Sequence, residues 1–100
     1  MDLRENRLTR LPKHFGVMVA ISELFLDKNE IRELPKSMRT MKNIVSLHVN
    51  HNVLYNWPWC LEYLTTLTEL HLNHNQIEGR VPALPRFALY LSFRFYVSPV

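Results

Sequence analysis

An asparagine recurs at 23-residue intervals, Asn6, Asn29, Asn52 and Asn75, and a whole set of apolar columns recurs with it. Two residues after each comes an aliphatic: Leu8, Ile31, Leu54, Ile77. Three before come Leu3, Leu26, Val49 and Leu72, and five before come Met1, Leu24, Leu47 and Leu70. Eight before come Ile21, Ile44 and Leu67. Beyond the asparagine, Leu11 and Pro12, Leu34 and Pro35, and Trp57 and Pro58 repeat in register, followed by Phe15, Met38, Leu61 and then Met18, Met41, Leu64. Self-similarity at this period means stacked copies of one small unit, none of which buries its apolar face alone.

The unit itself is legible. Leu24 and Leu26, with their equivalents, lie two apart and so share one face of a short strand. Copies stacked at ~4.8 Å make a parallel sheet with a continuous aliphatic core. The asparagine marks the point where each strand turns away. A turn inside a core leaves backbone N–H and C=O groups unpaired, and a carboxamide offers both donors and acceptors to meet them. The asparagine column is therefore read as structural. Proline after each Leu or Trp predicts an extended connector, with residues 15–18 and their equivalents long enough for one helical turn.

Residues 47–54, LHVNHNVL, carry the pattern LxLxxNxL. In this segment, and in the 23-residue period with its Leu-Pro turn, the chain resembles the leucine-rich repeat family, in its typical intracellular subtype, over residues 1 to about 78. The resemblance implies an α/β-type repeat solenoid. It would be a horseshoe segment with short parallel strands on the concave face and irregular or short 3-10 connectors on the convex face. Residues 1–79 are assigned to about 3.5 leucine-rich repeats. Residues 80–100 are a degenerate fifth repeat or an apolar tail. Continuing the period places Leu84, Phe87, Tyr90, Phe93 and Phe95 in core columns and Ser98 in the asparagine column. Met1 already holds a strand position with no polar cap before it. The chain is accordingly expected to be part of a longer array, or a truncated fragment without autonomous function.

Composition narrows the chemistry. Two glycines exclude a Gly-rich phosphate loop, and the single Cys60 excludes a disulfide framework and every cysteine-based zinc motif. Cys60 follows the Trp57-containing turn and is expected as an unreactive thiol on the side away from the strands. One thiol and no signal-peptide pattern lead us to expect the cytoplasm. The most apolar stretch, residues 81–100, contains Arg86, Arg94 and three prolines, so no membrane segment is read there. A formal charge of +3 is too small and too dispersed for nucleic acid.

The resemblance also implies a partner protein on the concave face. The column between the two core residues reads Asp2, Phe25, His48, His71, Arg94, and the column after the strand reads Arg4, Asp27, Asn50, Asn73, Tyr96. A third reads Glu5, Lys28, His51, His74, Val97. Phe25 is the candidate apolar anchor, because no core demand explains an aromatic there. Asp2, Arg4, Asp27 and Lys28 are candidate rim charges, and His48, Asn50, His71 and Asn73 candidate hydrogen-bonding contacts. Four histidines, His48, His51, His71 and His74, are expected to converge on one surface near Glu69. That cluster reads first as a solvated polar face. It also reads as a pH-responsive surface, or as a zinc or copper site, against which stands the lack of any group recognisable in the sequence as orienting the rings. No metal or cofactor is assigned. A hydrolytic group of Ser46, His71 and Glu69 ranks lowest, since an open sheet offers no enclosed pocket. The chain is read as an interaction module and not as an enzyme.

Overall fold

The computed structural model describes residues 1–77 and the backbone of Arg94–Tyr96. Four short strands, β1 (Glu23–Phe25), β2 (Ser46–His48), β3 (Glu69–His71) and β4 (Arg94–Tyr96), form one parallel sheet in the order β1-β2-β3-β4. Leu24 pairs with Leu47, and Leu47 with Leu70, so the first three strands keep the 23-residue register. Upstream of β1, Asp2 forms a single parallel bridge to Phe25. Opposite the strands, three 3-10 helices recur: η1 (Phe15–Val17), η2 (Lys36–Thr40) and η3 (Trp59–Tyr63). Pro35 and Pro58 immediately precede η2 and η3, where a missing N–H is no loss. Among the described residues, no helix is long and apolar enough to cross a membrane.

Burial follows the columns. Leu24, Leu26, Ile31, Ile44, Leu47, Val49, Leu54, Leu67, Leu70 and Leu72 are buried in one cluster, joined by Trp57 in the Leu position before Pro58. The first turn is less enclosed than the next two: Met18 is 37% exposed, whereas its equivalents Met41 and Leu64 are 2% and 1% exposed. The connectors pack as tightly as the strands. A Cβ on Gly16 would lie 1.8 Å from the Ser37 carbonyl oxygen, so only glycine lets η1 approach η2 this closely.

The turns after the Asp2 bridge and after β1, β2 and β3 use a non-glycine residue in the left-handed region: Glu5, Lys28, His51 and His74 have φ between 56° and 59°. Each such residue costs roughly 1–2 kcal/mol. Burying a single leucine contributes about 1.5–3 kcal/mol, and every turn buries several, so packing decides the conformation.

The register changes at β4. Leu70 pairs with Phe95 and not with Phe93, and His71 with Tyr96 and not with Arg94, which instead lies opposite Glu69. The fourth interval is thus two residues longer than the period, and the expected membership of Arg94 in the His71 column is corrected. A two-residue slip preserves the alternation of faces, whereas a one-residue slip would invert it. The positions expected for Leu84, Phe87, Tyr90, Phe93 and Ser98, like the alternative of a fifth repeat or a tail over the rest of residues 80–100, lie outside the described residues.

Candidate functional site

The exposed sheet face carries a stack of four planar groups that crosses the strands. The Arg4 guanidinium carbon lies 5.1 Å from the centre of the Phe25 ring. Phe25 stacks on His48 with ring centres 4.6 Å apart, and His48 on His71 at 4.3 Å with an 11° tilt. The in-register pairing lines up Phe25, His48 and His71, because equivalent positions of parallel strands sit one strand spacing apart, close to the distance for stacked rings, while Arg4 reaches Phe25 from the neighbouring column. Arg4 is itself held by Asp2 through two short bonds, Nε to Oδ1 at 2.9 Å and a terminal nitrogen to Oδ2 at 2.7 Å. Those bonds lower the Asp2 carboxyl to about 2.

Phe25, the candidate apolar anchor, is packed between neighbours and is not an isolated ring. Arg4 covers one face of the ring and His48 the other, leaving it half-buried. The next column also serves the backbone. Asp27 Oδ1 accepts the Asn50 backbone N–H at 2.7 Å, and Asn50 Oδ1 accepts the Asn73 N–H at 2.7 Å. Lys28 is exposed and lies 3.7 Å from Glu5, a surface pair of little energetic weight.

Behind this face the asparagine column is buried, as its repetition predicts. Asn52 Oδ1 accepts the Ile31 N–H at 3.0 Å while its Nδ2 donates to the carbonyls of Leu26, Val49 and Asn50. Asn29 and Asn75 repeat the same set one turn earlier and one turn later. Asn6, in the first turn, is exposed and donates to Leu3 and Arg4.

The four histidines form two separate stacks. His51 and His74, both in the left-handed turn position, stack at 4.3 Å. His48 and His71 stack within the strands and share a carboxylate. His71 Nε2 lies 2.6 Å from Glu69 Oε1 and His48 Nε2 lies 3.9 Å from the same oxygen. The Ser46 hydroxyl also meets His48 Nε2, at 2.8 Å. Glu69 and Ser46 are thus the orienting groups that the sequence reading did not recognise. Their signal was present in the sequence as a two-residue spacing, Ser46 before His48 and Glu69 before His71, which places each pair on one strand face. Burial and the neighbouring His71 lower the His48 pKa. Beside these residues runs an open groove of about 420 Å³, lined by Ser22, Glu23, Val45, Ser46, His48 and Glu69.

Cys60 lies in η3, on the opposite side, where burial raises its thiol to about 11. A thiol held that high is a poor nucleophile at neutral pH. Trp59 and Tyr55 are exposed, as expected of surface residues on the connectors.

Residues 66–87 match the model of the Leucine Rich Repeat family. The chain carries a leucine-rich repeat there, and β3 and Asn75 fall within it. Leucine-rich repeats generally serve as protein-interaction modules and are typically not enzymes. No curated protein matches the chain.

Proposed function

We propose that the chain is a leucine-rich-repeat solenoid segment that binds a partner protein through the concave face of its sheet, without catalysis. The row of Arg4, Phe25, His48 and His71 carries this reading. Aromatic and arginine side chains are the groups that most often dominate protein interfaces. Here they are already held in place by stacking, so docking immobilises few additional rotamers. Asp27, Asn50 and Asn73 border the row with polar atoms, while Asp2 and Lys28 add charge at its rim.

The grouping of Ser46, His71 and Glu69 gives a hydrolytic reading little support, because the Ser46 hydroxyl is engaged with His48 Nε2. In a serine–base–acid group the hydroxyl and the carboxylate meet opposite nitrogens of one imidazole. Around His48 both the Ser46 hydroxyl and Glu69 approach Nε2. The single cysteine supports placement of this interaction in the cytoplasm.

The test is binding of a partner captured from cell extract by the full 100-residue chain. Phe25→Ala removes the ring that joins Arg4 to the histidines and should weaken that binding by about 2 kcal/mol. Tyr63→Ala, in η3 on the other side, should leave it unchanged. The reading fails if Phe25→Ala binds as the wild type does, or if binding depends on Tyr63.

A further inference from the structure

We propose that His48, His71 and Glu69 form a binding site for one divalent transition metal ion of the zinc type. The three residues supply two imidazole nitrogens and a carboxylate oxygen whose ligand atoms all lie within 4.8 Å of one another, and they are all half-buried. This donor set, two neutral nitrogens and one anionic oxygen, suits zinc far better than magnesium or calcium, which favour oxygen. Among the described residues no other group of three such side chains comes together in this way.

The backbone explains why these three converge. Glu69 and His71 are two apart on β3, so their side chains leave the same face of one strand. His48 is the in-register partner of His71 on β2. Two ligands from one strand and a third from its neighbour form a triangle on a rigid sheet, and the fourth position faces the open groove, where water can complete a tetrahedron.

The distances are near what an ion needs. Zinc binds nitrogen and oxygen at about 2.0–2.2 Å, so two ligands of one tetrahedron lie roughly 3.3 Å apart. The Glu69 oxygen stands 2.6 Å from His71 Nε2 and 3.9 Å from His48 Nε2, on either side of that figure. Rotation of the imidazoles about their outer torsions brings both lone pairs onto the ion. The movement opens the 4.3 Å ring stack and releases the Ser46 hydroxyl from His48 Nε2. Asp27 and Glu23 add negative charge near His48 beside that of Glu69.

The second stack is the built-in control. His51 and His74 present two imidazoles at the same 4.3 Å spacing and do not belong to the three-ligand group. Calorimetric titration of the full chain with zinc chloride should show one ion bound per chain. His48→Ala, His71→Ala and Glu69→Gln should each weaken binding by more than about tenfold. The double variant His51→Ala/His74→Ala should bind as the wild type does. All these side chains lie outside the buried core, and circular dichroism melts establish that each variant is folded before titration. Histidine ring resonances in NMR spectra should show His48 and His71 moving on zinc addition while His51 and His74 stay in place. Absence of zinc binding by the wild type overturns the proposal. So does binding that survives Glu69→Gln undiminished, binding that follows the His51 and His74 pair, or a stoichiometry of one ion per two chains.

Discussion

The Asp27 side chain accepts the backbone N–H of Asn50 at 2.7 Å, and the Asn50 carbonyl in turn accepts the N–H of Lys28 at 3.0 Å. This reciprocal link fastens one turn to the next where the sheet ends. Asn50 and Asn73 repeat it, with the Asn50 carboxamide oxygen taking the role of the carboxylate and the Asn73 carbonyl receiving the His51 N–H at 2.9 Å. The acceptor oxygen matters here more than the charge. Asp27→Asn should change stability by no more than about 0.5 kcal/mol, while Asp27→Ala should lower it by about 1.5 kcal/mol. Urea denaturation of both variants checks this, and equal losses would show that the charge, and not the acceptor, stabilises the turn.

The asparagine column should divide by position. Asn52→Ala leaves the buried Ile31 N–H without its acceptor and takes one donor each from the carbonyls of Leu26, Val49 and Asn50, which keep bonds from Asn29, Asn75 and Lys28, at a loss on the order of 2 kcal/mol. Asn6→Ala removes only bonds at an exposed turn and should cost under about 1 kcal/mol. Thermal melting of the two variants measures the difference. Similar losses would mean that burial does not set the contribution of this column.

His48 links stability to pH. Burial of its ring and the adjacent His71 hold its folded pKa below 6.5, while Asp27, Glu69 and Glu23 pull in the opposite direction without overcoming them. Below that ordinary value the unfolded chain binds more protons at this site than the folded one. The contribution is therefore fully present above 6.5 and declines as the pH falls through the lower, folded value. The denaturation midpoint should fall from about pH 7.5 to about pH 5. His48→Phe keeps an aromatic ring between Phe25 and His71 but cannot take up the proton, so its midpoint should fall less over the same range. Identical slopes in the two proteins would remove His48 as a source of the pH dependence.

The period of 23 was enough to place Leu24, Leu47 and Leu70 opposite one another and to bury Asn29, Asn52 and Asn75, because a repeat that stacks on itself turns sequence columns into spatial ones. The same logic reached Trp57 as a core residue and Trp59 as an exposed one. Period arithmetic failed at β4, where two extra residues intervene before Phe95 takes the place opposite Leu70. An insertion of even length leaves the apolar alternation intact, and the local sign in the sequence, Val81 and Pro82 arriving one residue late after Gly79, amounts to one residue and not two.

Residue type and spacing by themselves determined which side chains share the sheet face: Asp2, Phe25, His48 and His71 in one column, Asp27, Asn50 and Asn73 in the next. Only the tertiary structure decided what those side chains do there. It turned Phe25 from an open anchor into the middle of a stack, made Asp27 and Asn50 acceptors for a neighbouring turn, and separated four histidines into two pairs, of which one holds a carboxylate. The reason is physical. A period records which positions face the same way, whereas rotamers, ring contacts and hydrogen-bond partners depend on ångström-scale distances between strands that become neighbours only after the chain has folded.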